Sequence, residues 1–162
     1  MNIQQIYISK GHSYKGRHGK GAANYLIESV PSVELVAKKG IVGDRYYDFK
    51  EDFKGQITFF DRAVYEEVKA QFTLPDLCSS AFRRNVIVEG LDLNSLIGQR
   101  FSIGGIEFTG SEEAAPCYWM DEACAPGVHE YLKGKGGLRC RIVISGTLSC
   151  GSHEFHSLGT CN

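Results

Sequence analysis

Apolar residues along this chain recur mainly at every second position or in runs of three or four, the spacing of short half-buried or buried strands. Leu138, Cys140, Ile142 and Ile144 alternate with Arg139, Arg141, Val143 and Ser145, which predicts a strand with one apolar and one cationic face. Strands are also expected at Ile3–Ile8, Val33–Val36, Ile57–Phe60 and Val86–Val88, with a hairpin at Phe101–Ile103 and Ile106–Phe108 around Gly104-Gly105. One segment keeps helical spacing: Val64, Tyr65, Val68 and Phe72 follow a capping Asp61, and Leu74-Pro75-Asp76 stops the run. Many short strands with two or three short helices predict a mainly β (α+β) fold. A mostly antiparallel β-barrel is expected, because closure removes exposed strand edges. No repeat or linker interrupts residues 1–162, so one domain is expected.

Composition sharpens this. Nineteen glycines in 162 residues suit a chain rich in turns. Eighteen Lys and Arg against nineteen Asp and Glu leave a net charge of -1, which argues against a nucleic-acid partner. No apolar run is long enough for a transmembrane helix and no secretory leader is evident, so no membrane association is expected. The six cysteines form no C-x-x-C pair and are read as reduced thiols of a cytoplasmic protein. The charge is uneven, however: residues 1–45 carry seven cations and three acids.

Part of that excess lies in the loop from Lys10 to Gly21, with His12, Lys15, Arg17, His18 and Lys20 among glycines and no acid. Glycines let backbone N–H groups converge on an anion that Lys and Arg neutralise, so the segment suits a phosphate. It is not a Walker A loop, since Arg17-His18 stands where Lys-Ser/Thr is required. The same composition also suits a solvated surface loop. Arg83-Arg84-Asn85 precedes the Val86–Val88 strand, and adjacent guanidiniums repel unless solvated or sharing an anion. Asp44-Arg45 after Gly43 reads as a turn with a local ion pair, and Arg139 and Arg141 must reach water, an acid or a ligand.

Among the thiols, Cys117 follows Pro116, a natural first-turn residue, which places it near a helix N-terminus where thiolate is favoured. Trp119, two residues on, is available to pack on a planar ring. Cys140 reads as a buried small hydrophobe, and Cys78 and Cys124 as turn residues. Cys150, His153, His156 and Cys161 contain metal-ligating groups, but in no standard zinc spacing.

The ordered blocks Gly40-Ile41-Val42-Gly43-Asp44-Arg45-Tyr46, Arg83-Arg84-Asn85-Val86-Ile87-Val88-Glu89-Gly90, Leu96 to Gly104, Pro116-Cys117 and Gly136-Gly137-Leu138-Arg139 resemble the MOSC domain, from about Ile3 to Gly151, leaving residues 152–162 as a short tail. That module occurs in molybdenum cofactor sulfurases and in molybdenum-dependent reductases of N-hydroxylated compounds. The resemblance implies a β-barrel that binds the molybdenum cofactor (molybdopterin), with Cys117 matching the cysteine that is a molybdenum ligand in the reductases. The basic loop, with Lys10, His12, Lys15, Arg17 and His18, and the guanidiniums of Arg45, Arg83, Arg84 and Arg139 are read from their chemistry as candidates for the cofactor phosphate, with Asp44 and Asn85 in the blocks that carry the resemblance. Many relatives have His where this chain has Tyr46, and Gly-Asp where it has Gly151-Ser152. No pyridoxal-phosphate, iron–sulfur or flavin segment is evident, so a separate electron-transfer or sulfur-donor protein is the expected partner. Three functions fit: a reductase of a small N-hydroxylated substrate, a sulfur carrier using a Cys117 persulfide, and a cofactor- or anion-binding module.

Overall fold

Residues 1–13 and 25–160 are described by the structure, a computed structural model. The first strands are β1 (Asn2–Ile8), β2 (Glu28–Val30), β3 (Ser32–Val36), β4 (Gly40–Ile41) and β5 (Ile57–Asp61). Helix α1 (Arg62–Gln71) and a 3-10 turn at Ser79–Phe82 lead to β6 (Val86–Glu89). The hairpin β7 (Gln99–Ile103) and β8 (Ile106–Glu113) precedes the short helices α2 (Trp119–Ala123) and α3 (Val128–Tyr131). The chain ends with β9 (Leu138–Ile142), β10 (Gly146–Ser149), β11 (Gly151–Ser152) and β12 (Phe155–Thr160).

The expected strands, hairpin and capped helix all form. Asp61 caps α1 by accepting from the Ala63 N–H at 2.9 Å, and Ile103 pairs with Ile106 across the β7–β8 turn. β9 buries Leu138, Cys140 and Ile142 and turns Arg139 and Arg141 to its other face. It stops at Ile142, leaving Ile144 exposed.

The main sheet runs β11-β1-β6-β5-β9-β8-β7-β12, with β2 also on β1, and β10-β3-β4 form a second sheet. All pairs are antiparallel except β5 with β6. That exception follows from the intervening α1, because a crossover through a helix returns the chain in the same direction.

Among the described residues, the strand ladders do not close into the barrel expected from the sequence. The path of the main sheet ends at β11 on one edge and β12 on the other, with no strand pairing between them among the described residues. His153-Glu154 connects the two strands instead: the His153 N–H donates to the Met1 carbonyl, and the Gly104 N–H to the Glu154 carbonyl. A chain that changes edges in two residues covers both without completing a ring of ladders. The expected C-terminal tail is therefore part of the sheet, with Phe155 opposite Ile103 and Thr160 opposite Gln99.

The strands separate two apolar cores. One gathers Ile3, Leu35, Ile57, Phe59, Val86, Phe101, Phe108 and Leu138 between the sheets. The other packs Phe60, Val68, Phe82, Ile87, Met120 and Val128 beneath the helices. Burial of this apolar surface is the main favourable contribution to folding. Two approaches require glycine: a Cβ on Gly110 would collide with the Leu96 carbonyl, and one on Gly137, at φ +103°, with that of Phe59. Among the described helices, none is long and apolar enough to cross a membrane.

Candidate functional site

The start of β6 sends two adjacent guanidiniums in different directions. Arg83 has left-handed backbone, φ +54°, a conformation uncommon for a side chain of its kind and often retained at functional sites. Its guanidinium donates to Ser13 Oγ and to the Gly11 carbonyl, both at 2.9 Å. Arg84 turns instead to the carbonyls of Gly136 (2.9 Å), Phe82 (3.0 Å) and Ala114 (2.6 Å). Burial, then repulsion from Arg139, lowers its pKa to about 10, while nearby Cys117 acts in the opposite direction. Arg84 therefore remains a cation at neutral pH. Neutral dipoles hold it without cancelling its charge, so its field remains available to an anion.

The next residue, Asn85, is buried and braces the site. Its Oδ1 accepts from the Thr58 N–H and hydroxyl, and its Nδ2 donates to the Tyr7 carbonyl and to Asp44. Asp44 is a second brace, accepting from the Ser9 and Tyr46 N–H groups and pairing with Arg45 at 3.3 Å. The turn and ion pair read from the sequence are present, but Asp44 is buried and joins the loop after β4 to the end of β1. Neither Asp44 nor Asn85 lines the cleft described next.

Above these braces lies a cleft of about 470 Å³. Arg45, Arg83, Arg84 and Arg139 supply its positive charge, and Tyr46, Phe49 and Phe53 its aromatic wall. His12, Gly55, Thr58 and Ala114 complete the lining. Tyr46 stacks on Phe53 with centroids 5.0 Å apart, meets Phe49 edge-on at 5.4 Å and His12 edge-on at 4.8 Å. The Arg45 guanidinium lies 4.9 Å from the Tyr46 centroid, within cation–π range. Arg139 pairs with Glu112 at 3.0 Å, and Glu112 also holds Lys54 at 3.2 Å. Lys54 and Arg139 together keep the Glu112 carboxyl below its usual range. The arrangement can hold a flat group against the rings and an anion against the guanidiniums.

A MOSC domain model matches residues 32–153, a span that contains Asp44, Arg84, Cys117 and Arg139. The chain belongs to the MOSC domain family. The YuaD protein of Bacillus subtilis superposes with a TM-score of 0.77 at 20% identity, over 96% of this chain and 95% of that one. YiiM from Escherichia coli gives 0.69 at 17% identity, over 99% and 71%. YiiM from Geobacillus stearothermophilus gives 0.67 at 16%, over 96% and 75%. These likenesses establish a shared fold. No curated protein matches the chain.

In this MOSC domain Cys117 is exposed, on the connection between β8 and α2. It does not line the cleft, and follows by three residues Ala114, which does. Its carbonyl accepts from the Met120 N–H at 2.9 Å. Trp119, expected to be available to a planar ring, is instead buried, with its ring 4.9 Å from that of Tyr118. Lys10 is exposed and absent from the cleft lining, and Lys15, Arg17 and His18 lie outside the described residues. Cys140 is buried, which pushes its thiol well up, as expected of a core residue.

Cys150, His153 and His156 find separate partners in the Val30 carbonyl, the Ser149 carbonyl and Glu154, while Cys161 lies outside the described residues. Among the described residues, no three His, Cys, Asp or Glu side chains gather as metal ligands. A larger groove of about 690 Å³ beside α1 is lined by Asp61, Glu66, Glu89 and Asp92, and its Arg62 pairs with Glu66 and Glu89. It lacks the chemistry of the arginine cleft.

The sequence reading missed the aromatic wall as a unit. The signal was present in Tyr46-Tyr47-Asp48-Phe49 and Phe53, a concentration of rings in a segment with neither strand nor helix periodicity.

Proposed function

We propose that the arginine cleft holds the molybdenum cofactor, with which the MOSC family is generally associated, and that Cys117 is its metal ligand. One observation carries the reading: four guanidiniums contributed by three separate parts of the chain converge opposite stacked aromatic rings. Molybdopterin combines a flat pterin, an anionic phosphate and soft sulfur chemistry, so the residues present fit it. Arg84 and Arg139 would neutralise the phosphate, Tyr46 and Phe53 would meet the pterin, and the Cys117 sulfur would bind the metal. When bound, the cofactor supplies a two-electron centre for removing oxygen from an N-hydroxylated compound as water. The chain would supply binding, orientation and access, with electrons delivered by a separate protein.

The exposure of Cys117 favours a second reading, a sulfur carrier. There, a persulfide donor would pass its outer sulfur to the Cys117 thiol, leaving the donor thiol and a Cys117 persulfide. Elemental analysis of protein from a cofactor-sufficient host separates the two. Near-stoichiometric molybdenum in the wild type and little in Cys117→Ser is the expected result. A protein without molybdenum or pterin but with one added sulfur on Cys117 would replace the cofactor reading with the carrier.

A further inference from the structure

The segment 46–55 lies between β4 and β5 and carries three rings of the cleft wall. Phe49 is 52% exposed, so burial alone does not hold this wall in place. Ion pairs brace it on both sides of Phe53. Asp52, with left-handed backbone at φ +49°, receives Arg141 at 2.6 and 2.8 Å, a two-pronged contact whose geometry is directional. Lys54 is held by Glu112, which also fixes Arg139. The cationic face of β9 therefore divides its work: Arg139 lines the cleft and Arg141 secures the segment that carries the rings. Gly55 lies where they meet, since a Cβ there would come within 3.3 Å of the Phe53 ring and 3.5 Å of the Arg139 side chain.

We propose that residues 46–55 are an aromatic strap that selects flat anionic ligands over simple anions, and that Asp52 and Lys54 are positioning residues holding it through Arg141 and Glu112. The proposal rests on the arginine cleft being a ligand site, and it adds where discrimination between ligands arises. Arginines attract any anion of suitable size, whereas stacking rewards only a planar ring. Releasing the strap should therefore change selectivity while leaving anion attraction in place.

The test uses the full-length protein and two probes, pterin-6-carboxylate, a flat fluorescent anion, and inorganic pyrophosphate, an anion without a ring. Affinities are measured for wild type, Phe53→Ala and the double variant Asp52→Asn/Lys54→Gln, with folding checked by thermal melting. About a tenfold loss for pterin-6-carboxylate is expected in Phe53→Ala from the lost stacking, and about a threefold loss in the double variant from the released strap, with less than about a twofold change for pyrophosphate in either. Equal losses for both probes, or no loss for pterin-6-carboxylate, would overturn the strap while leaving the anion cleft intact. Failure of wild type to bind either probe would overturn the cleft reading and the strap with it. Arg84→Lys serves as the control that weakens both probes, because a guanidinium fork is lost regardless of ligand shape.

Discussion

Arg84, on one wall of the cleft, is fixed by three backbone carbonyls, whereas Phe53, on the other, is kept in place by neighbours whose ion pairs reach solvent. The first wall belongs to the folded core. Its carbonyls come from the turn before β6, the end of the β8 strand region and the loop before β9, so it forms only when the sheet does. The second is a loop whose side chains 52 and 54 are 75% and 57% exposed. Exposed ion pairs contribute little to stability and weaken with salt. A site made this way can keep its charge fixed while its shape stays open to adjustment.

The largest predicted effect comes from breaking the rigid wall. Arg84→Met removes the donors from the Gly136, Phe82 and Ala114 carbonyls and should cost about 3 kcal/mol, read from the urea midpoint at constant slope. A change below about 1 kcal/mol would mean that water replaces the guanidinium and that the two walls are held alike. The strap double variant Asp52→Asn/Lys54→Gln should lower stability by less than about 1 kcal/mol in the same measurement. A larger loss would place the strap in the cooperative core.

The smallest effect concerns pH. Because Lys54 and Arg139 hold the Glu112 carboxyl below its usual range, their stabilisation is present above the ordinary carboxylate range and lost as pH falls through the lowered value. Carbon-13 NMR should show Glu112 titrating below exposed glutamates, and moving up towards them in Lys54→Gln. A midpoint unchanged by that substitution would assign the shift to Arg139 alone and uncouple the strap from the cleft.

How much of this was legible along the chain differs by kind of feature. The alternation in Leu138–Ile142 and the Asp61 cap could be read directly, since both depend on neighbours a few residues away. The Arg83-Arg84 pair was legible as chemistry but not as geometry: their repulsion is relieved by turning towards loops about 30 to 70 residues away in sequence. Asp44 and Asn85 illustrate the same limit. Their place in the blocks that resemble the MOSC domain suggested contact with a ligand, while in the fold they are buried and bonded to the protein itself.

The sequence by itself determined the strand-rich class, most element positions, the burial of Cys140 and, through ordered motifs, the MOSC resemblance. These are consequences of local periodicity and short-range order. The tertiary structure decided that no strand ladder among the described residues joins β11 to β12, that Trp119 is buried, and that Arg45, Arg84 and Arg139 face Tyr46, Phe49 and Phe53 across one cleft. The physical reason is that these outcomes depend on which strands lie side by side. That order is set by the packing of two cores and a helical crossover between β5 and β6, and hence by contacts between residues far apart in the chain.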